Sequence, residues 1–174
     1  QIKVTPINFE GTVKFSSYVE AGVENHTRKT NPLVDYGPFG KHLVVEELKS
    51  DEDYILYQGE TKNSKLSMAC GSVVVTDGHM TECVIGEEDG HTSYEVYAEE
   101  GKEVTFEKMI AYTSELDMPK EEILPFIRAK LSEAKVLGYD KYEALQKEKM
   151  DEFWSKADIK IEGDEELQQG IRFN

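Results

Sequence analysis

The four histidines are the residues of this sequence best suited to bind a metal ion or transfer protons, and they are scattered as His26, His42, His79 and His91. Metal sites usually draw ligands from short repeats such as H-x-x-x-H or C-x-x-C, and neither spacing occurs in the sequence. His79 and His91 each follow a glycine of an expected turn, where solvent-exposed polar residues are common. We therefore predict no metal site and no cofactor.

Carboxylates are abundant, and cleavage of a glycosidic bond needs two of them on opposite sides of that bond. The clusters Glu87-Glu88-Asp89 and Glu99-Glu100 lead into expected turns, where acidic side chains are usually solvated. The sequence also has no glycine-rich phosphate loop, no G-x-S-x-G elbow and no basic patch with interleaved aromatic residues. We predict that this 174-residue sequence contains no catalytic residue.

The composition favours an acidic globular protein. Twenty basic and 35 acidic residues give a net charge of −15, and that field repels phosphate backbones, so nucleic acid is not an expected partner. No run approaches the roughly 18 apolar residues of a membrane helix, so a membrane is not expected either. The 174 residues fit one domain with a hydrophobic core plus an appendage.

The two cysteines, Cys70 and Cys83, lie in separate apolar segments. They could form a disulfide, but two buried free thiols are favoured because nothing in the sequence suggests export. Asn25-His26-Thr27 matches a glycosylation sequon, which has no meaning in a cytosolic protein. We predict a cytoplasmic location.

Up to about Ser114, apolar and polar residues alternate with a period of two, as in strands with one buried face. The apolar faces are Val13, Phe15 and Val19; Tyr94, Val96 and Ala98; and Val104, Phe106, Ile110 and Tyr112. Asp77-Gly78 and Asp89-Gly90 predict tight hairpin turns, and Glu100-Gly101 predicts a similar corner. Turns this close leave no room for crossover helices, so we expect antiparallel strands paired in sequential order. Strands with one apolar face indicate a sheet covered on one side, as in a β-sandwich.

The alternation breaks between about Thr27 and Gly40, where prolines and glycines predict a long loop. After Ser114 the period becomes helical. Pro119 and the carboxylates after it predict a helix start, and Gly138 predicts its end. Because Pro125 falls inside the pattern, the helix is expected either to kink there or to begin later than Pro119 suggests.

Two apolar stripes continue this helical pattern: Ile123, Ile127, Leu131 and Ala134, and then Tyr142, Leu145, Met150, Phe153 and Trp154. Trp154 could offer a sugar-stacking platform, but its spacing favours packing beside Phe153 at the junction of helix and sheet. Asp164 then predicts an N-cap for a last helix with Leu167 and Ile171 on one face. No glycine, proline or basic run closes that helix, and the chain begins with Gln1, so we expect a piece of a larger protein.

The C-terminal stretch FWSKADIKIEGDEELQQGIRFN resembles the junction motif of glycoside hydrolase family 65, the family of maltose, kojibiose, nigerose and trehalose phosphorylases. The matching residues are Trp154, Asp158, Ile159, Ile161, Gly163, Asp164, Gln168, Arg172, Phe173 and Asn174. Upstream, PINFEGTVKFSSYVEAGVEN is similar to the family's N-terminal sandwich, with Gly22, Val23 and Asn25 in the motif. Gln146 and Met150 stand where the family often has a histidine and a tryptophan, which leaves the subfamily open.

The resemblance implies three parts: residues 1–116 as part of an antiparallel β-sandwich (itself part of a super-sandwich), 117–163 as a helical linker, and 164–174 as the start of a catalytic (α/α)6 barrel. It further implies an inverting enzyme that cleaves an α-linked glucose disaccharide. A barrel glutamate acts as general acid, and inorganic phosphate, or water in the hydrolases, attacks the anomeric carbon. The implied partners are that barrel and a second copy in a homodimer. The loop from Thr27 to Gly40 is the candidate to reach the active-site mouth.

A second hypothesis is a free-standing carbohydrate-binding β-sandwich. Such a module needs a row of exposed aromatic residues on one sheet face. The available tyrosines are Tyr54, Tyr57, Tyr94 and Tyr97. Within each pair the two side chains are expected on opposite faces of the strand, which favours core and edge packing.

Overall fold

The computed structural model of the protein describes residues 1–24, 33 and 40–173. Eight strands and two helices are assigned within these residues. They are β1 (Ile2–Val4), β2 (Gly11–Glu20), β3 (Leu43–Asp51), β4 (Tyr54–Thr61), β5 (Ser67–Thr76), β6 (His79–Ile85), β7 (Asp89–Ala98), β8 (Val104–Ser114), α1 (Lys120–Ala157) and α2 (Glu165–Phe173).

The strands form two antiparallel sheets that face each other. One has five strands in the order β1-β8-β5-β4-β3, and the other has three in the order β2-β7-β6. This architecture, followed by helices, confirms the predicted β-sandwich with a helical segment after it. The apolar residues that alternate along β2, β7 and β8 pack into the core between the sheets.

Aromatic rings make up the centre of that core. Phe15 of β2 stacks on Phe106 of β8 with ring centroids 4.9 Å apart, and Tyr94 of β7 meets the same Phe106 edge-on at 5.8 Å. Each aromatic pair of this kind adds about 0.5–1.5 kcal/mol beyond the area it buries. Since the rings come from three strands of both sheets, they fix how the sheets pack against each other.

The predicted turns are only partly correct. The pairs β3-β4, β4-β5 and β6-β7 join sequential strands, but β5 to β6 and β7 to β8 pass from one sheet to the other. Asp77-Gly78 therefore forms a crossing and not a hairpin. Gly78 is needed for space, because a Cβ there would lie 2.4 Å from the Glu95 carbonyl oxygen. Gly101 does occupy the predicted corner, with a φ of 74°.

The hairpin between β6 and β7 is present, but its turn lies before the predicted position at Asp89-Gly90. Asp89 and Gly90 belong to β7, and Gly90 pairs with Ile85 across the ladder. The chain reverses over residues 86–88, where the Gly86 amide donates to the Asp89 carbonyl at 2.7 Å. A dipeptide that favours turns was thus used inside a strand.

The first part of α1 covers the outer face of the five-stranded sheet. Ile123, Ile127 and Leu131 are fully buried there against a cluster of residues from β4 and β5. The sheet residues of that cluster are Tyr54, Leu56, Ala69 and Val73. The expectation of a sheet covered on one side is therefore wrong for this sheet, because its strands β4 and β5 are largely buried on both faces.

Gly71 of β5 is the contact point between that helix and the sheet. A Cβ at Gly71 would lie 2.8 Å from Ile127 Cγ2, 2.8 Å from Leu131 Cδ1 and 2.9 Å from Leu56 Cδ2. Carbon atoms in packed interiors stay about 3.5–4.0 Å apart. The helix can lie this close to the sheet only because residue 71 has no side chain.

Ion pairs reinforce the edge of the same contact. Arg128 of α1 donates from Nε to Asp51 Oδ2 at 2.6 Å, and its guanidinium lies 3.5 Å from the centre of the Tyr54 ring. Lys120 pairs with Glu46 at 2.6 Å. Exposed pairs of this kind contribute about 0.2–1 kcal/mol each, so they orient the helix more than they hold it.

Helix α1 begins at Lys120, directly after Pro119, and Pro125 lies inside it with helical dihedrals. The expected kink or delayed start at Pro125 is thus not found. The interruption lies at Gly138, where φ is 73° and ψ is 169°, and a further helical stretch follows it. Because Pro125 has no N–H, the carbonyl of Glu121, four residues earlier, is left without its helical donor.

The chain forms two compact units, Gln1–Val136 and Leu137–Asn174. The division at residues 116 and 163 read from the sequence concerns the organisation of a longer protein and stays a prediction. None of the helices in the described part of the chain is long and apolar enough to cross a membrane.

We expect Gly71→Ala to lower the free energy of unfolding by about 1–3 kcal/mol, because the added methyl group overpacks the helix contact. Urea denaturation would measure the loss. In a Leu131→Ala background the same substitution should cost at least about 0.5 kcal/mol less, because one of the three clashing groups is gone. Strictly additive losses would mean that residue 71 does not set the distance between helix and sheet.

Candidate functional site

The three described histidines, His42, His79 and His91, form no common metal site. His91 lies 3.5 Å from Glu82 and stacks on Tyr18, whereas the buried Nε2 of His42 has no hydrogen-bond partner in the part of the chain that the structure describes. His26, the sequon at residues 25–27 and most of the predicted loop between Thr27 and Gly40 lie outside the described residues. Within residues 1–24, 33 and 40–173, no three His, Cys, Asp or Glu side chains form a group that could hold a metal.

The acidic clusters serve the turns in which they lie. The Glu88 carbonyl accepts the Ala21 amide at 2.7 Å and the Gly22 amide at 3.2 Å, and the Glu88 carboxylate pairs with Lys41. Glu99 pairs with Lys102 at 2.6 Å. Glu88 and Glu99 are thus each engaged with a lysine.

Both cysteines are free, as favoured by the sequence, but only Cys70 is buried. Cys83 is exposed because its strand, β6, forms an edge of the three-stranded sheet. The expectation that both thiols are buried is therefore wrong for Cys83.

The tyrosines proposed for a sugar platform are mostly internal. Tyr54, Tyr57 and Tyr94 are each 4% exposed, and only Tyr97 is open at 59%. Trp154 meets Phe153 edge-on with ring centroids 5.1 Å apart, which agrees with packing between these two neighbours.

The residues with the most specific arrangement are those of the C-terminal motif. The segment 158–163 precedes α2, and five residues hold the two together: Asp158, Ile159, Ile161, Gln168 and Arg172. We call this set the clasp. Its bonds join side chains of the helix to both the side chain and the backbone of the preceding segment.

The first part of the clasp is a two-bond ion pair. Arg172 donates from Nε to Asp158 Oδ1 at 2.8 Å and from Nη2 to Asp158 Oδ2 at 2.6 Å. The rigid fork of a guanidinium matches both carboxylate oxygens, which fixes orientation as well as distance. These bonds hold the pKa of Asp158 below its ordinary value and raise the pKa of Arg172.

The second part of the clasp is the Gln168 amide. Its Nε2 donates to the Ile159 carbonyl at 2.9 Å, and its Oε1 accepts the Ile161 amide at 2.7 Å. One side chain thus satisfies the backbone groups of two residues that have no strand partner. No strand is assigned to this segment.

The start of α2 follows the sequence prediction. The Leu167 amide donates to Asp164 Oδ1 at 2.9 Å, so Asp164 is the N-cap. Gly163 before it has a φ of 89°, which glycine adopts without strain. Glu165 and Glu166 lie in the first turn, where the positive end of the helix dipole favours them.

The remaining face of α2 is apolar and open. Leu167 is 50% exposed and Ile171 37%. None of the described residues of α2 is buried. An amphipathic helix with this pattern normally covers its apolar stripe against another element.

The sequence reading missed what the clasp does. It placed Asp158, Gln168 and Arg172 in a motif but gave them no contacts, since partners 14 residues apart follow no local rule. The available signal was Gln168 and Arg172 four residues apart, which puts two hydrogen-bonding side chains on one helix face.

Known proteins resemble this chain over most of its length. The family described as "Glycosyl hydrolase family 65, N-terminal domain" matches residues 1–153. The chain is 30% identical over 172 residues to an alpha,alpha-trehalose phosphorylase of Thermoanaerobacter brockii, covering 97% of this chain and 22% of the relative. It is 33% identical to an alpha,alpha-trehalose phosphorylase of Geobacillus stearothermophilus, covering 100% and 22%.

A solved structure shares the fold. It is described as "Putative kojibiose phosphorylase from human microbiome" and superposes with a TM-score of 0.74 at 15% identity, over 95% of this chain and 21% of that one. The matched family covers most of the chain, so this protein belongs to glycoside hydrolase family 65, within the N-terminal domain. The chain spans about a fifth of the length of these relatives.

Loss of the Arg172 fork should loosen α2. We expect Arg172→Lys to increase amide hydrogen exchange in α2 and at Ile161, because an ammonium cannot hold both oxygens of Asp158 in a fixed plane. Glu162→Gln, next to the clasp, is the matched control and should leave exchange unchanged. Equal protection in both variants would show that the fork does not order the helix.

The order of α2 should also depend on pH. Because the pKa of Asp158 is lowered in the folded chain, its stabilising effect is complete above the ordinary value of about 3.9 and is lost as pH falls through the folded-state pKa. NMR line positions of α2, followed from pH 6 to about pH 2, would measure this transition. Asp158→Asn should remove the contribution, and an identical transition in that variant would assign it to other carboxylates.

Proposed function

We propose that this chain is the non-catalytic β-sandwich and helical linker of an inverting disaccharide phosphorylase or hydrolase. The observation that carries the proposal is the clasp, which holds an apolar helix face in the open at the end of a chain that spans about a fifth of its relatives. A helix ordered so specifically with its apolar side uncovered suits a docking element better than an independent unit.

The proposed partner of that face is the catalytic barrel of the same polypeptide. Burial of Leu167 and Ile171 against barrel helices would contribute about 1.5–3 kcal/mol per side chain. In this scheme α2 is the first barrel helix, residues 117–163 are the linker, and the two sheets are part of a larger super-sandwich.

For the longer protein we propose phosphorolysis or hydrolysis of an α-linked glucose disaccharide with inversion. In such chemistry a carboxylic acid protonates the leaving oxygen while the nucleophile enters from the opposite face of the sugar. The general acid and the groups that bind phosphate are proposed to lie in the barrel. We further propose a cytoplasmic location and a homodimer, with this sandwich contributing to the dimer contact.

A free-standing carbohydrate-binding module is less well supported. Three of the four tyrosines that could build its platform are buried, and Tyr97 alone offers no row of rings. Exposed Tyr18 and Tyr112 line a mainly apolar pocket and form no such row.

The 174-residue chain alone should neither cleave maltose, kojibiose or trehalose nor release glucose 1-phosphate when phosphate is present. The longer gene product that contains it should do one or the other, because the proposed catalytic groups lie in the barrel. Coupled glucose and glucose 1-phosphate assays on both proteins provide the measurement. Turnover by the isolated chain at a rate near that of the longer protein would defeat the proposal.

In the longer protein, Leu167→Asp should lower the melting temperature and the free energy of unfolding by about 2 kcal/mol or more, because a charge would replace a side chain buried at the barrel. Glu166→Gln, one residue away on the polar side, should be nearly neutral. If Leu167→Asp were equally harmless in the longer protein, the apolar face of α2 would not be a docking surface.

A further inference from the structure

The sandwich has a pocket where its two sheets cease to cover each other. The inward face of β8 is buried at Val104 and Phe106 but open farther along the strand, with Ile110 50% and Tyr112 68% exposed. A pocket of about 280 Å³ lies over this uncovered part. The pocket therefore lies next to the apolar core of the sandwich, and the side chains of the core do not fill it.

The walls of the pocket are mainly apolar. Val19 and Ala21 come from the end of β2 and the residue after it, Leu43 from β3, and Met68 from β5. Tyr18 and Tyr112 also line it, and both rings are more than half exposed. A volume near the lower end of the usual range for ligand sites suits a small molecule with an apolar body.

One cation lies in this apolar environment. The Lys108 Nζ donates to the Tyr18 carbonyl at 2.6 Å, and within the described part of the chain no carboxylate forms an ion pair with it. Glu20 lines the same pocket without pairing with Lys108. Burial lowers the pKa of Lys108, as expected for an ammonium group that lacks a compensating anion.

A second polar group in the wall lacks a partner. Tyr57 is 4% exposed, and its hydroxyl is buried with no hydrogen bond to any described residue. Burial raises the pKa of both Tyr57 and Cys70, so the phenol and thiol around the pocket stay protonated and neutral. Buried hydroxyl groups are nearly always hydrogen-bonded, so one without a partner calls for a ligand or water.

We propose that this pocket binds a small organic carboxylate with an apolar body, whose carboxylate pairs with the Lys108 ammonium group. The apolar part would displace water from Leu43, Met68 and Ile110, and the Tyr57 hydroxyl is available as a further donor. An anion supplies the counter-charge that the described wall does not provide. This inference does not depend on the catalytic role of the longer protein.

The test uses the whole chain with 3-phenylpropanoate as the probe and 3-phenylpropanamide as its neutral counterpart of the same shape. In an NMR titration, 3-phenylpropanoate should shift the backbone N–H signals of β5 and β8. 3-Phenylpropanamide should bind about tenfold more weakly. In Lys108→Met the carboxylate should lose that tenfold advantage, whereas in Lys102→Met, on the exposed corner before β8, it should be kept. Ile110→Trp should fill the pocket and abolish both shifts.

Several results would overturn the proposal. Equal affinities of the unaltered protein for the carboxylate and the amide would do so without any variant, and so would the absence of shifts at 10 mM probe. Retention of the tenfold advantage in a folded Lys108→Met protein would remove the cation from the site. A dimer that dissociates in Ile110→Trp would show that a second copy, and not a small molecule, covers this surface.

Discussion

The contact of α1 with β5 at Gly71 is the constraint on which the larger unit depends. Because residue 71 has no side chain, Ile127 and Leu131 reach the sheet surface and meet Leu56 there. Strands β4 and β5 of the five-stranded sheet are thereby largely buried on both faces. The three-stranded sheet needs to cover only the opposite face. The result is three layers: the first part of α1, the five-stranded sheet and the three-stranded sheet.

Much of this fold could be predicted from the sequence. Period-two alternation in β2, β7 and β8 gave the right faces, and the helical stripe from Ile123 to Ala134 gave the right side of α1. The connections were harder, because a dipeptide such as Asp77-Gly78 looks the same whether the next strand pairs or crosses to another sheet. Gly78 also approaches the Glu95 carbonyl closely, and this contact between residues 17 apart follows no local pattern.

The candidate site divides in the same way. The N-cap at Asp164 is a local interaction and was predicted. The ion pair of Arg172 with Asp158 and the hydrogen bonds of Gln168 join residues farther apart in the sequence and were not predicted. The pocket beside Lys108 was not predicted at all. Ile110 and Tyr112 share the alternation of the buried Val104 and Phe106, and only the extent of the opposite sheet decides which of them is covered.

The bonds of Gln168 have one more consequence. They engage the carbonyl of Ile159 and the amide of Ile161, both of which belong to the main chain. These hydrogen bonds therefore do not depend on the side chain at position 162, which is exposed. A fluorophore or spin label attached there would sit beside an ordered segment without occupying any of its contacts, and would give a local reporter on the helix that follows.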